Sequence, residues 1–267
     1  MRHAWIAFAA PVGATVIGLG TLGAMAVWGW PGERGVAGLG LCEAVGDGPL
    51  SQPANTLSNV GFFVVGWWIG WQAWCDLLAK KRLAWRNTLV TTIRYPASYA
   101  VSSVLIGLGS TALHASTTRW GAELDLLAMH LWGAWCIAFA TTRLARVGDR
   151  WFAALFAAQL IALLMRISLG HPSGMKGSTL FGLMVAAAVA IETAGRYRNR
   201  RRQKMDDRCL IGAVGVFLVA YACWRASLTG GPWCDPFSWW QGHALWHLLS
   251  SCSTALTYLY ARSERGR

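Results

Sequence analysis

The stretch that decides the fold is residues 95–141, YPASYAVSSVLIGLGSTALHASTTRWGAELDLLAMHLWGAWCIAFAT. It contains two apolar segments, 95–114 and 122–141. Each has roughly the 20 residues that a helix needs to cross the hydrocarbon layer of a membrane. The Asp, Glu, Lys and Arg residues of this stretch are Arg119, between the two segments, and Glu123 and Asp125, at the start of the second. The sequence therefore predicts a pair of transmembrane helices with polar residues gathered at one end.

Apolar segments of similar length recur along the whole chain. Hydrophobic residues make up 55% of the sequence and charged residues 13%, whereas a soluble domain has about 25% charged residues. A soluble chain of 267 residues could not bury so much apolar surface around one core. The predicted fold class is all-α, a polytopic bundle of membrane helices. The predicted spans are residues 5–28, 56–78, 95–114, 122–141, 151–168, 177–195, 209–228 and 240–260.

The first span allows two interpretations. Its basic start, Arg2 and His3, and the small residues around Met25 are compatible with a cleaved signal peptide. Its apolar stretch is, however, longer than the roughly 7–15 residues of a signal-peptide core. We therefore expect a retained transmembrane helix.

The distribution of positive charge predicts the orientation in the membrane. If all eight spans cross, five of the 24 Lys and Arg residues lie on the side opposite the termini, and the other 19 lie on the side that holds both termini. Positive loops stay in the cytoplasm, so we expect a multi-pass protein of the cytoplasmic membrane with both termini inside. The net charge of +12 reflects these loops. The most basic of them, 196–208, is interpreted as an anchor at anionic lipid headgroups, and no nucleic-acid partner is expected.

Polar and ionisable residues enter the spans mainly on the non-cytoplasmic side. An ionisable group within a span is costly unless it faces a partner or a wet cavity, so it is a functional candidate. These candidates lie where the third span ends and where the fourth and eighth spans begin: Ser110, His114, Glu123, Asp125, His243 and His247. Their common depth on one side predicts a single site.

The three histidines in this group form a candidate metal-ligand set. His243 and His247 are four residues apart, on one helical face. This is the spacing of the zinc ligands in HExxH, although Ala244 stands where that motif has its Glu. With His114 they make three imidazoles, and three His with an open fourth position is how catalytic zinc is held. Asp125 is then the candidate base, or a group that orients one of the imidazoles.

The same residues also have ordinary structural explanations. Packing or interhelical hydrogen bonding explains many histidine pairs in membrane helices, and Ser110 could bond its own backbone. His130 lies deeper in the fourth span and is a weaker candidate. Asn55, Ser58 and Asn59, at the start of the second span, more often cap a helix than contact a substrate.

Four motifs resemble those of the alkaline ceramidase family, within the wider group of membrane hydrolases that includes the adiponectin and progestin receptors. They are NTLSN from Asn55, GSTALH ending at His114, ELD ending at Asp125 and GHALWH ending at His247. The resemblance runs from about residue 42 to 260. It implies a seven-helix hydrolase domain within 31–267, with residues 1–30 as an additional transmembrane helix.

The resemblance also implies an activity and residue roles. The reaction is hydrolysis of the amide of ceramide, or of a related N-acyl membrane lipid, to a fatty acid and a free amine base. By position, His114, His243 and His247 bind zinc. Asp125 activates the water, and Ser110 helps to hold that water or the oxyanion.

Two features depart from the family pattern. Eukaryotic members have an acidic calcium-binding segment before the first core helix, whereas here residues 38–55 keep only Glu43 clearly, and Gln52 stands where an acid is expected. This counts against calcium binding and leaves Glu43 as a candidate for a second metal site or for a structural role. The fourth span continues after Asp125 without the second acid of the family, which leaves the identity of the lipid open.

Two other functions are compatible with the same residues. A heptahelical receptor or lipid-binding membrane protein could use the zinc as a structural ion. A haem protein is disfavoured, because three imidazoles, two of them on one helical face, suit a small tetrahedral ion better than two axial positions.

The cysteines predict one disulfide. Of the seven cysteines, five lie within spans or on the cytoplasmic side. Cys42 and Cys234 lie in the outer loops, the compartment in which disulfides persist. A bond between them would tie the loop before the second span to the helix that carries His243 and His247. The alternative is two unpaired thiols.

Overall fold

A computed structural model describes residues 3–38, 40–79, 87–145, 147–169, 175–199 and 203–266. The predicted basic loop 196–208 falls partly outside this range, at residues 200–202. The described residues form ten helices and one pair of two-residue strands. These elements are α1 Ile6–Trp28, α2 Pro53–Ser58, α3 Val60–Leu78, α4 Thr88–Thr91, α5 Arg94–Ser116, α6 Arg119–Ala145, α7 Asp149–Ser168, α8 Gly177–Asn199, β1 Gln203–Lys204, α9 Asp207–Ala226, α10 Gly242–Arg262 and β2 Arg265–Gly266.

The long helices coincide with the predicted spans, and the all-α fold class is confirmed. One boundary differs from the prediction. The span expected at 56–78 starts earlier and is divided at Asn59 into the short helix α2 and the long helix α3. Pro53 opens α2, where its missing N–H costs nothing because the first N–H groups of a helix have no partner within the helix. The two short strands pair with each other and were not predicted.

Six of the described helices are long and apolar enough to cross a membrane: α1, α5, α6, α7, α8 and α9. Large apolar side chains such as Ile161, Met165, Ile211 and Leu218 are more than half exposed on α7 and α9, which suits a surface that faces lipid. The long helix α10 is not among the six, because its buried residues include His243, His247 and several Ser and Thr. The six long apolar helices indicate a membrane-embedded protein.

The chain divides into two compact units. The first comprises Met1–Asp125 and Lys204–Gly266, and the second comprises Leu126–Gln203. In the first unit, α10 packs against α9, α3 and α2, while α5 packs against α3, α1 and α2. In the second unit, Arg143 forms an ion pair with Glu192 at 2.7 Å.

The far end of α10 is held within the first unit by polar contacts. Arg262 forms two hydrogen bonds with the buried carboxylate of Asp76 on α3, at 2.6 and 2.7 Å. The side-chain amide of Asn87 donates to the carbonyl oxygens of Ala261 and Arg262, both at 3.0 Å. These contacts satisfy carbonyl groups that a helix C-terminus leaves without intrahelical partners.

Two glycines allow the backbones of α5 and α6 to touch. A Cβ on Gly109 would lie 2.6 Å from the carbonyl oxygen of Leu124 and 3.0 Å from the Cα of Asp125. A Cβ on Gly121 would lie 2.8 Å from the carbonyl oxygen of Ala112. Small residues at such crossings permit close packing of membrane helices. The contact places the backbone of Asp125 beside the turn of α5 that carries Ser110.

We predict that Gly109→Ala destabilises the protein by about 1–3 kcal/mol, because the added methyl group would overlap the backbone of α6. The matched control is Gly215→Ala in α9, where an added Cβ meets nothing within 4 Å. There the higher helix propensity of Ala makes the change neutral or stabilising by up to about 1 kcal/mol. Thermal unfolding of the two variants in detergent measures the difference. Equal stability of the two variants would contradict the close contact.

Candidate metal centre

Three buried imidazoles from two helices meet at one point. His114 lies in the last turn of α5, and His243 and His247 lie in the first two turns of α10. One nitrogen of each ring lies within 4.8 Å of the others. The Nε2 atoms of His114 and His243 are 3.2 Å apart, close to the roughly 3.3 Å that separates two nitrogens bound tetrahedrally to one zinc ion. The histidines predicted as ligands are therefore brought together.

Gln52 fixes the orientation of the His114 ring. The Nδ1 atom of His114 is 2.7 Å from the Oε1 atom of Gln52. The Nε2 group of Gln52 donates to the carbonyl oxygen of Glu43 at 3.0 Å, so Oε1 is the acceptor and Nδ1 of His114 is the donor. The backbone N–H of Gln52 also donates to the carbonyl oxygen of His114 at 2.9 Å. His114 therefore keeps the lone pair of its Nε2 atom free for a metal.

The ring of His247 is fixed in the same way from α2. Its Nδ1 atom lies 2.7 Å from the Ser58 hydroxyl and 3.1 Å from the carbonyl oxygen of Asn55. A carbonyl oxygen can only accept, so Nδ1 is the donor. The Nε2 atom of His247 is thus the acceptor nitrogen of this ring, and the hydroxyl of Ser110, 3.2 Å away, can donate to it. In the third ring, the Nδ1 atom of His243 is buried and has no hydrogen-bond partner among the described residues.

Glu43 contacts the start of α2, and it is not part of the histidine cluster. One carboxylate oxygen accepts the backbone N–H of Ala54 at 2.6 Å, and the other accepts that of Asn55 at 2.8 Å. Burial raises the pKa of Glu43 above its usual value, and the bonds from Asn55 and Ala54 oppose this change. The Glu43 carboxylate therefore caps the start of α2.

The cysteine next to Glu43 is in a disulfide. Cys42 is bonded to Cys234, and their Cα atoms are 5.3 Å apart. Cys234 lies in the segment between α9 and α10. The bond joins the loop before α2 to the segment that leads to His243 and His247.

The two predicted catalytic residues differ in how closely they approach the histidines. Ser110 contacts His247 directly. Asp125 is half-buried on α6, and the described structure shows no hydrogen bond between it and the three imidazoles. Its place beside the site follows from the backbone contact at Gly109. Glu123 is exposed, and in the second unit His130 contacts the carbonyl oxygen of Gly177 at 2.9 Å.

The residues that orient the ligands were missed or given another role. The sequence pattern predicts helix caps at Asn55 and Ser58 and indicates only a substituted acid at Gln52. A usable signal was present, since metal-binding histidines need an acceptor at the second ring nitrogen. Which polar residue supplies that acceptor depends on packing between segments distant in sequence.

We predict that Gln52→Leu lowers metal affinity by about 10–100-fold, because it removes the hydrogen bond that fixes the His114 tautomer. Ser58→Ala should have a smaller effect, since the carbonyl oxygen of Asn55 still accepts from His247. Metal content after dialysis against graded chelator measures both variants. A greater metal loss in Ser58→Ala than in Gln52→Leu would contradict this assignment.

Comparison with known proteins identifies the family. The Ceramidase family model matches residues 50–265. A search of curated proteins finds no match. The matched range covers most of the chain and includes His114, His243, His247, Ser110 and Asp125, while α1 lies outside it. The chain therefore belongs to the ceramidase family, whose members are hydrolases that act on an amide bond.

Proposed function

We propose that this protein is a zinc-dependent membrane amidohydrolase that cleaves ceramide or a related N-acyl lipid to a fatty acid and a free amine base. The observation that carries the proposal is the buried cluster of His114, His243 and His247 in a chain of the ceramidase family. Hydrogen bonds at Nδ1 leave the Nε2 atoms of His114 and His247 free to bind an ion.

The donor set supports zinc. Among the described residues the cluster consists of three imidazoles without a carboxylate, and nitrogen ligands suit zinc rather than calcium or magnesium. The three rings are buried, and the Nε2 atoms of His114 and His243 face each other at 3.2 Å, where one ion could bind both. A zinc ion bound there would supply Lewis acidity and would lower the pKa of water towards neutrality.

Ser110 and Asp125 have complementary roles in this proposal. The Ser110 hydroxyl, close to Nε2 of His247, is placed to hold the attacking oxygen or the oxyanion. The Asp125 carboxylate takes a proton from the attacking water and returns it to the amide nitrogen as the C–N bond breaks. The products are a carboxylic acid and an amine.

The surroundings of the site suit a lipid substrate. The cluster lies where α5 ends and α10 begins. In this proposal these helix ends lie at the depth of a lipid amide, between headgroup and tails. The charge distribution supports a cytoplasmic membrane location with both termini inside and the site towards the non-cytoplasmic side. The seven-helix domain within 31–267, preceded by a separate N-terminal helix in 1–30, remains part of this proposal.

We expect His114→Ala, His243→Ala and His247→Ala each to lose stoichiometric zinc, since three ligands and one water are the minimum for tight binding. Elemental analysis of the purified proteins measures the zinc, and release of a fluorescent fatty acid from a labelled ceramide measures turnover. The matched control is His130→Ala, which should retain both. Full zinc occupancy in one of the three variants would remove that residue from the ligand set. If the natural protein binds zinc but hydrolyses no N-acyl lipid, the receptor or lipid-binding alternative is favoured.

We expect Asp125→Asn to keep zinc but to lose hydrolysis by about 10²–10⁴-fold, the range for removal of a general acid–base group. The control is Glu123→Gln, which alters an exposed carboxylate two residues earlier on the same helix and should preserve turnover. Both variants are assayed for zinc content and turnover. Loss of zinc from Asp125→Asn would show that Asp125 supports the metal and is not the base.

A further inference from the structure

The short helix α2 supports two of the three ligand histidines. Gln52, directly before it, accepts from His114, while Asn55 and Ser58 contact His247. A six-residue helix is not stable by itself. Its position must therefore be imposed by contacts with the rest of the chain.

Glu43 makes two kinds of contact with this segment. Its carboxylate accepts the backbone N–H groups of Ala54 and Asn55, which lie in the first turn and have no acceptor within the helix. Its backbone carbonyl accepts the side-chain N–H of Gln52. A single residue therefore connects Glu43 to each of two histidines by hydrogen bonds. Gln52 connects it to His114, and Asn55 connects it to His247.

The backbone of Glu43 is itself held in place on both sides. Cys42 is joined to Cys234 by the disulfide, and the N–H of Ala44 donates to the carbonyl oxygen of Pro236 at 2.9 Å. A bridge between Leu41 and Leu228 extends this contact. The segment around Glu43 is therefore anchored to the connection between α9 and α10, and α10 carries the other part of the ligand set.

The same contacts occupy the carboxylate of Glu43 and the side-chain oxygen of Gln52, the two side chains that a calcium ion would need at this position. Calcium takes six to eight oxygen ligands. Both carboxylate oxygens of Glu43 already accept backbone N–H groups, and the side-chain oxygen of Gln52 accepts from His114. The calcium site that the family resemblance implies does not fit these residues.

We infer that Glu43 is a positioning residue for the metal centre, whose carboxylate fixes α2, and with it the tautomers of His114 and His247, without a bound calcium ion. This inference rests on the proposed zinc site. Glu43 lies outside the matched range that begins at residue 50.

The test is a zinc affinity measurement by competition with a chromogenic chelator, made on the full-length protein in detergent. Glu43→Ala should weaken zinc binding by about 10–100-fold, the range for loss of a group that supports a ligand. Glu43→Gln, which keeps one acceptor oxygen, should weaken it less. The matched control is Asp47→Asn, an exposed acid in the same loop, which should bind zinc as the natural protein does. Thermal unfolding of the zinc-saturated variants checks that Glu43→Gln still folds.

The outcomes separate this inference from the proposed function. If the natural protein binds no zinc, the proposed function fails. If the natural protein binds zinc and Glu43→Ala binds zinc as tightly as the natural protein does, the role of Glu43 is overturned. Millimolar calcium should leave the zinc affinity of the natural protein unchanged. Tighter zinc binding with calcium would show that a cation shares the position assigned to the Glu43 contacts, and would also overturn the inference.

Discussion

The hydrogen bonds at the Nδ1 atoms of His114 and His247 are the contacts on which the rest of the site depends. A neutral imidazole has one donor and one acceptor nitrogen, and an acceptor at Nδ1 decides which nitrogen is left for a metal. In the buried interior of this protein the acceptors are Gln52 and the α2 residues Asn55 and Ser58. The candidate metal centre thus depends on a segment that adds no residue to the histidine cluster.

The site also requires that helices approach each other closely in the membrane interior. Apolar side chains gain little by leaving lipid for a helix interface, so membrane helices associate through close packing and polar contacts. Gly109 and Gly121 permit backbone contact between α5 and α6, and this contact sets Asp125 next to the turn of Ser110. At the other end of the first unit, Arg262 and Asp76 join α10 to α3.

The loops before α2 and before α10 act together as the support of the site. The Cys42–Cys234 disulfide and the main-chain bonds around it connect the two loops, and Glu43 extends this connection to the first turn of α2. A fixed carboxylate on backbone N–H groups can hold a helix start without a mobile ion, since the unpaired N–H groups there attract negative charge. These contacts hold the start of α2 beside the three imidazoles with few acids in residues 38–55.

The sequence by itself determined the helical membrane fold, because span length and apolar composition are local properties that hold wherever the helices pack. It also singled out the histidine set and the Cys42–Cys234 pair, since their chemistry and common membrane side can be inferred without coordinates. Only the tertiary structure decided that Gln52 contacts His114 and that Ser58 contacts His247, across 62 and 189 residues of sequence. It also showed that the Glu43 carboxylate accepts two backbone N–H groups at the start of α2. Spacing and periodicity do not predict such pairs, because the partner of a buried polar group depends on the packing that brings distant segments together.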